Sequence, residues 1–346
     1  MKRAGLACVT LAFVACAAAP AVGQETTVRV GMARSTSNAA ELMAIERGYF
    51  KQYGIRLELE DLDSSANAIA LLAQNRYQIV AGGISAGYFN ALEKDLPISI
   101  VTDRVSTPIG HNLMLRPDLK DQVKDIRQLK GKVIASNGPG SVSTYEVGKI
   151  LETVGLTIND VEIKIIPFTQ MGLALTNKAI DAAIVIPPFV WQFEEQKLAV
   201  PFADVDAIVQ PQPMTIAVIM VNSEWAKKND ALMRNYMTAW LRGARDYCQA
   251  YHGGSTRDAV INVLMTSGTE RRPELLHKYP WPARSPDGRV NTASMLDIQA
   301  WYVKNKLATA QFPAERLVDS SYIDAAIQKL GPFELEKRDS TLPGCR

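Results

Sequence analysis

The segment Glu41–Glu60, ELMAIERGYFKQYGIRLELE, predicts a helix that ends at a turn and runs directly into a strand. Leu42, Ile45 and Phe50 recur at helical spacing, with Met43 and Tyr49 beside them. Gly54 suits a helix end, because the left-handed backbone region costs glycine little. Ile55, Leu57 and Leu59 then alternate with Arg56, Glu58 and Glu60, the pattern of a strand with one buried face. Upstream, Val28–Met32 reads as another strand. Strand, loop, helix, strand is the opening unit of an α/β lobe.

The same alternation continues outward. Ala66–Gln74 and Ser85–Leu92 read as helices, and Tyr77–Gly82 and Ile98–Thr102 as strands, which implies a mostly parallel sheet. A second unit follows, with strands at Leu113–Leu115, Lys132–Ser136, Val161–Ile166 and Ala182–Ile186. Its helices are predicted near 143–154 and 170–177. Thr215–Val221 is a long apolar strand that can carry the chain back to the first unit. Helices are predicted over 233–248, 256–265, 292–304 and 322–330. A chain of 346 residues exceeds one ordinary core. The expected architecture is α/β: a two-lobed clamp, each lobe a mostly parallel sheet flanked by helices. Residues 25–112 plus 220–346 form lobe I and residues 113–219 form lobe II. Crossovers near 111–118 and 210–221 make the hinge.

Residues 1–23 read as a secretory signal peptide, with a positive start at Lys2-Arg3, an apolar run, and small residues at Ala21-Val22-Gly23. The run is shorter than the roughly 20 residues a bilayer crossing needs. Lipid attachment at Cys16 is the weaker alternative, since Phe13 stands where a lipoprotein box has leucine. The formal charge of +2 comes entirely from Lys2 and Arg3, so the exported chain is neutral. No basic run points to nucleic acid. Cys248 and Cys345 remain after export. They can pair and tie down the C-terminal tail, or stay as two thiols.

Enzyme signatures are weak. His111, His252 and His277 are scattered, and none sits in a metalloprotease or nucleophile-elbow context. Gly138-Pro139-Gly140-Ser141 lacks the lysine of a nucleotide-binding loop. No catalytic residue, metal or cofactor is expected. Binding features are stronger. Residues 137–144, NGPGSVST, follow a buried strand and open a helix, which presents free amides and the hydroxyls of Ser141, Ser143 and Thr144 beside Gly138. Three loops hold the matching position in lobe I. They carry Arg34, Thr36 and Asn38; Ser65; and Gly83 with Ser85. Each could equally be a plain helix cap. Arg34 offers a two-point grip on a carboxylate or sulfonate. Phe189 and Trp191 are the aromatics expected to wall the cleft.

RGYFKQYGI at 47–55, LKGKVI at 129–134, Gly138–Ser141, Ile180–Ala183, Val221-Asn222, Asp287-Gly288, Asn291 and VDSSYIDAAIQKLG at 318–331 keep a characteristic order. In that order the chain resembles the periplasmic solute-binding proteins of the sulfonate, nitrate, taurine and thiamine-pyrimidine type. The resemblance implies a type II periplasmic-binding-protein clamp, monomeric and periplasmic, that delivers a small molecule to an ABC permease. Ile186 precedes Pro187-Pro188 where relatives often place an acid, which argues against an amine or pyrimidine ligand. With Arg34, this favours a small organic anion, sulfonate or carboxylate, aromatic ones included. A thiamine-pyrimidine-type enzyme or binding protein, or a sensor subunit that presents its ligand to a receptor, is the alternative.

Overall fold

The computed structural model describes residues 25–345, so the signal peptide and Cys16 lie outside the described residues. Ten strands form two five-stranded sheets. The first contains β1 (Thr26–Met32), β2 (Ile55–Asp61), β3 (Ile79–Gly83), β4 (Ile98–Ser106) and β10 (Thr215–Asn222), in the order β2-β1-β3-β10-β4. The second contains β5 (Asn112–Leu115), β6 (Val133–Ser136), β7 (Glu162–Ile165), β8 (Ala182–Val185) and β9 (Val200–Asp204), in the order β7-β6-β8-β5-β9. In each sheet four strands run in one direction, and the fifth, β10 or β5, inserts antiparallel between its neighbours. The expected two-lobed α/β clamp is therefore the observed fold. Among the described residues no helix is long and apolar enough to cross a membrane.

Within the deciding segment the turn forms as read. Gly54 adopts φ 66°, and the chain enters β2 at Ile55. The buried faces differ from expectation. Helix 39–46 buries Ala39, Ala40, Glu41, Met43 and Ala44, while Ile45 is exposed. The reason is close helix packing. Helix 230–251 crosses this helix at Gly243, where a Cβ would collide with the Ala40 carbonyl oxygen. Small residues bring two backbones together, so the large ones turn outward. Similarly, β2 buries Ile55 but exposes Leu59, because β2 is the edge of its sheet. The strand β9 and helix 189–195 were not anticipated; Pro187-Pro188 reads as a break, yet a helix starts straight after it.

The chain crosses between sheets through 107–111 and again through 205–214. These crossings are tied together. Asp206 accepts from the backbone amides of Ile109 (2.9 Å) and Gly110 (2.8 Å), and Thr107 and Met214 exchange bonds through their backbones at 3.0 Å and through the Thr107 hydroxyl at 2.7 Å. Cys248 and Cys345 form a disulfide that fastens the C-terminal tail to helix 230–251.

Candidate functional site

Parallel strands aim their carboxyl ends at one another across the gap between the sheets, where ligands of open α/β sheets bind. There the structure encloses a small cavity of about 60 Å³. Its walls come from the loops after β1 and β2 (Ser35, Ser64, Ser65), from Gly83 at the end of β3, and from the start of helix 142–152 (Ser141, Ser143). Its donors are serine hydroxyls and the amides of a helix start, set in a largely apolar lining with Val142, Phe168, Ile186 and Ile216.

Arg104 and His111, each hydrogen-bonded to a buried carboxylate, complete the wall. Arg104, in β4, lines the cavity and is 2% exposed. Its Nε donates to Glu41 Oε1 at 2.6 Å, and its Nη2 donates to Asn38 Oδ1 at 2.5 Å and Glu41 Oε2 at 3.2 Å. Trp240 Nε1 donates to Glu41 as well, at 3.1 Å. These acceptors leave Nη1 unengaged. A forked guanidinium held this way is fixed in orientation before any ligand arrives. Across the cavity His111 Nδ1 lies 2.8 Å from Oε1 of the fully buried Glu146. Arg104 and His111 thus each face a buried carboxylate.

The expected site residues separate into groups. Ser65, Gly83, Ser141 and Ser143 line the cavity. Asn38 and Thr144 stand one step behind it. Asn38 holds Arg104, and Thr144 Oγ1 is 2.9 Å from the Ser136 hydroxyl. Thr36, Ser85 and Gly138 serve contacts between the lobes. Thr36 donates to the Pro187 carbonyl oxygen at 3.3 Å, Ser85 forms an isolated bridge with Ser141, and a side chain at Gly138 would collide with Ser64. The glycine read as leaving room for a ligand leaves room for the opposite lobe. Arg34 is placed outside the cavity, half exposed and paired with Asp61. Trp191 is buried away from it, because Tyr279 stacks on the indole at 5.5 Å with the planes 7° apart. Phe189 stacks on Phe168 at 5.9 Å, and only Phe168 reaches the cavity. Sequence reasoning missed Arg104, Glu41, His111 and Glu146. One signal existed: an arginine within the apolar run of β4, which a core strand admits only when it is paired.

A second buried layer lies behind Arg104. Arg284 is 2% exposed, sits over the Tyr247 ring at 3.9 Å, and donates to the Ser37 carbonyl oxygen at 3.3 Å. Burial lowers its pKa. Asp103 accepts from the Ser106 hydroxyl, and its other oxygen is buried without a partner. Burial pushes its carboxyl from 3.8 to about 7, against the pull of Ser106 and Arg284. A carboxyl raised on folding stabilises fully below its unfolded pKa, and that contribution is lost as pH rises through about 7. Asp103→Asn should therefore flatten the fall in stability from pH 5 to pH 8 by about 3 kcal/mol. Urea unfolding at both pH values checks this, and an unchanged slope would mean that Asp103 ionises normally.

A family model described as NMT1/THI5 like matches residues 35–250, more than half of the chain. The chain belongs to the NMT1/THI5-like family. No match was found among curated protein sequences. Solved structures resemble this NMT1/THI5-like chain closely in fold at low identity. The ligand-binding component of an ABC-type import system from Staphylococcus aureus is 13% identical with a TM-score of 0.69, over 87% of this chain and 98% of the other. The periplasmic aliphatic sulphonate binding protein SsuA from Escherichia coli is 15% identical with a TM-score of 0.65, over 90% and 94%. The desulfurization enzyme DSZB is 12% identical with a TM-score of 0.59, over 88% and 100%. At this identity the likeness establishes the periplasmic-binding-protein fold, and function rests on the site.

Proposed function

We propose that this NMT1/THI5-like protein is an extracytoplasmic solute-binding protein that captures a small organic anion, a sulfonate or carboxylate, between two lobes and delivers it to an ABC permease. It acts as a monomer, exported by residues 1–23, with lobe I spanning 25–112 plus 220–346 and lobe II spanning 113–219. One observation carries the reading: a cavity of about 60 Å³ lined from both sheets, around which the lobes meet directly. Ala86 donates its amide to the Gly140 carbonyl at 2.8 Å, and Tyr145 and Lys149 both reach Asp297, at 2.5 and 3.1 Å. A solute reaches such a space only when the lobes part, which is how a hinged clamp works. Likeness in fold to an import-system component and to a sulphonate-binding protein supports the transport role.

The head group would accept from Arg104 Nη1, the Ser141 and Ser143 hydroxyls and the amides at the start of helix 142–152. Hydrogen bonds to a charged group contribute about 1.5–3 kcal/mol each. Calorimetric titration of the exported chain with methanesulfonate, benzenesulfonate, benzoate and a neutral aminopyrimidine tests the assignment. Binding of at least one anion, with none of the pyrimidine, is expected. The opposite preference would overturn it.

His111 favours a second reading. An imidazole oriented by a buried carboxylate can act as a general base, and a desulfurization enzyme shares the fold. Among the described residues, however, no hydroxyl or thiol is hydrogen-bonded to the other ring nitrogen of His111. Mass analysis of solutes recovered after incubation with the protein would reveal turnover.

A further inference from the structure

The cavity continues into a groove that nothing above assigns. Phe168 lines both spaces. The outer groove holds about 310 Å³ against about 60 Å³ inside, and it runs between the lobes. One wall is lobe II: Pro167, Phe168 and Phe189, the two rings nearly parallel at 23°. Each phenylalanine is the first residue of its helix, 168–176 or 189–195, so the backbone of a regular element positions both rings. Ala33 and Leu62 form the apolar part of the facing wall, which also carries Asp63 and the Arg34–Asp61 ion pair.

We propose that the groove is a second compartment of the same binding site, built for a flat apolar tail, so that the solute is elongated: a compact polar head inside and an aryl group outside on Phe189. This rests on the reading of the cavity as a solute site. Three features support it. The inner space is too small for a head and a ring together. The two spaces share Ala33 and Phe168 in their walls, both apolar. The outer wall presents a ring face, and aromatic pairs favour offset stacking at ring separations of roughly 4.5–7 Å. Arg34 then acts at the rim, where its pairing with Asp61 keeps it from attracting a bare anion into the groove.

The test uses matched pairs that keep the charged head and change the tail: methanesulfonate against benzenesulfonate, acetate against benzoate, and methylamine against benzylamine. Each is titrated into the exported chain and into Phe189→Ala and Phe189→Leu. In the parent, the aryl member of at least one pair should bind at least tenfold tighter than its methyl partner. Both variants should reduce that ratio at least fivefold, with melting curves confirming that they are folded. An unchanged ratio, an aryl member no tighter than its partner, or no binding in any pair overturns the proposal. If only the amine pair binds and its ratio collapses in the variants, the compartment stands and the anionic head falls.

Discussion

Replacing Arg104 by methionine is expected to lower the unfolding free energy by about 3–5 kcal/mol, the usual cost of leaving a buried charge without its partner. The guanidinium is 2% exposed, and the Glu41 side chain it holds is 0% exposed. Taking away the cation strands a carboxylate whose remaining donor is Trp240 Nε1. The pair itself need not be stabilising, since removing both charges together is often neutral. Arg104→Met with Glu41→Leu should therefore recover most of the loss, although Asn38 and Trp240 would then lack their partners. Urea unfolding of both single variants and the double variant measures the coupling. If the double variant is as unstable as the sum of the singles, the two side chains do not act as a pair. The pair holds the guanidinium still at the cavity wall.

The second large effect concerns the C-terminal strap. Cys248→Ser with Cys345→Ser should cost about 2–5 kcal/mol, near the upper end because the bridge closes a long loop. The residues are 97 apart, and both are buried. The tail is also fixed by His252, which lies 3.0 Å from the Gly344 carbonyl oxygen and accepts from the Asp339 amide at 3.2 Å. Cys345 donates its amide to the Arg284 carbonyl at 3.1 Å, so the strap braces the segment that carries Arg284 behind the cavity. Thermal unfolding under oxidising conditions should show the loss. A reductant should lower the parent to the level of the double variant and leave that variant unmoved. A loss below about 1 kcal/mol would mean the tail is held by its hydrogen bonds alone.

Local signals in the chain were easy to read, and those that depend on distant partners were not. Gly54 and the alternation after it announced the first crossover, and the apolar run at 215–221 announced the return strand, because turn chemistry and periodicity are properties of neighbours in sequence. The buried face of helix 39–46 was misread, since Gly243, two hundred residues away, decides it. The cavity loops were legible as small-residue stretches after strands, and Ser65, Gly83, Ser141 and Ser143 do line the cavity. Its charged wall was not legible. Arg104 and Glu41 each look like surface residues alone, and only the fold reveals that they are partners. Trp191 looked available to a ligand until Tyr279, from a loop with no periodic pattern, was found to cover it.

The central claim is that a solute occupies the space between the lobes and holds them closed. Small-angle scattering of the exported chain, alone and saturated with a solute that binds by calorimetry, tests it most directly. The radius of gyration should be smaller with the solute than without it, as the two crossings at 107–111 and 205–214 flex. An unchanged radius at saturation would contradict it and would mark the protein as a rigid scaffold that binds its ligand without a clamp.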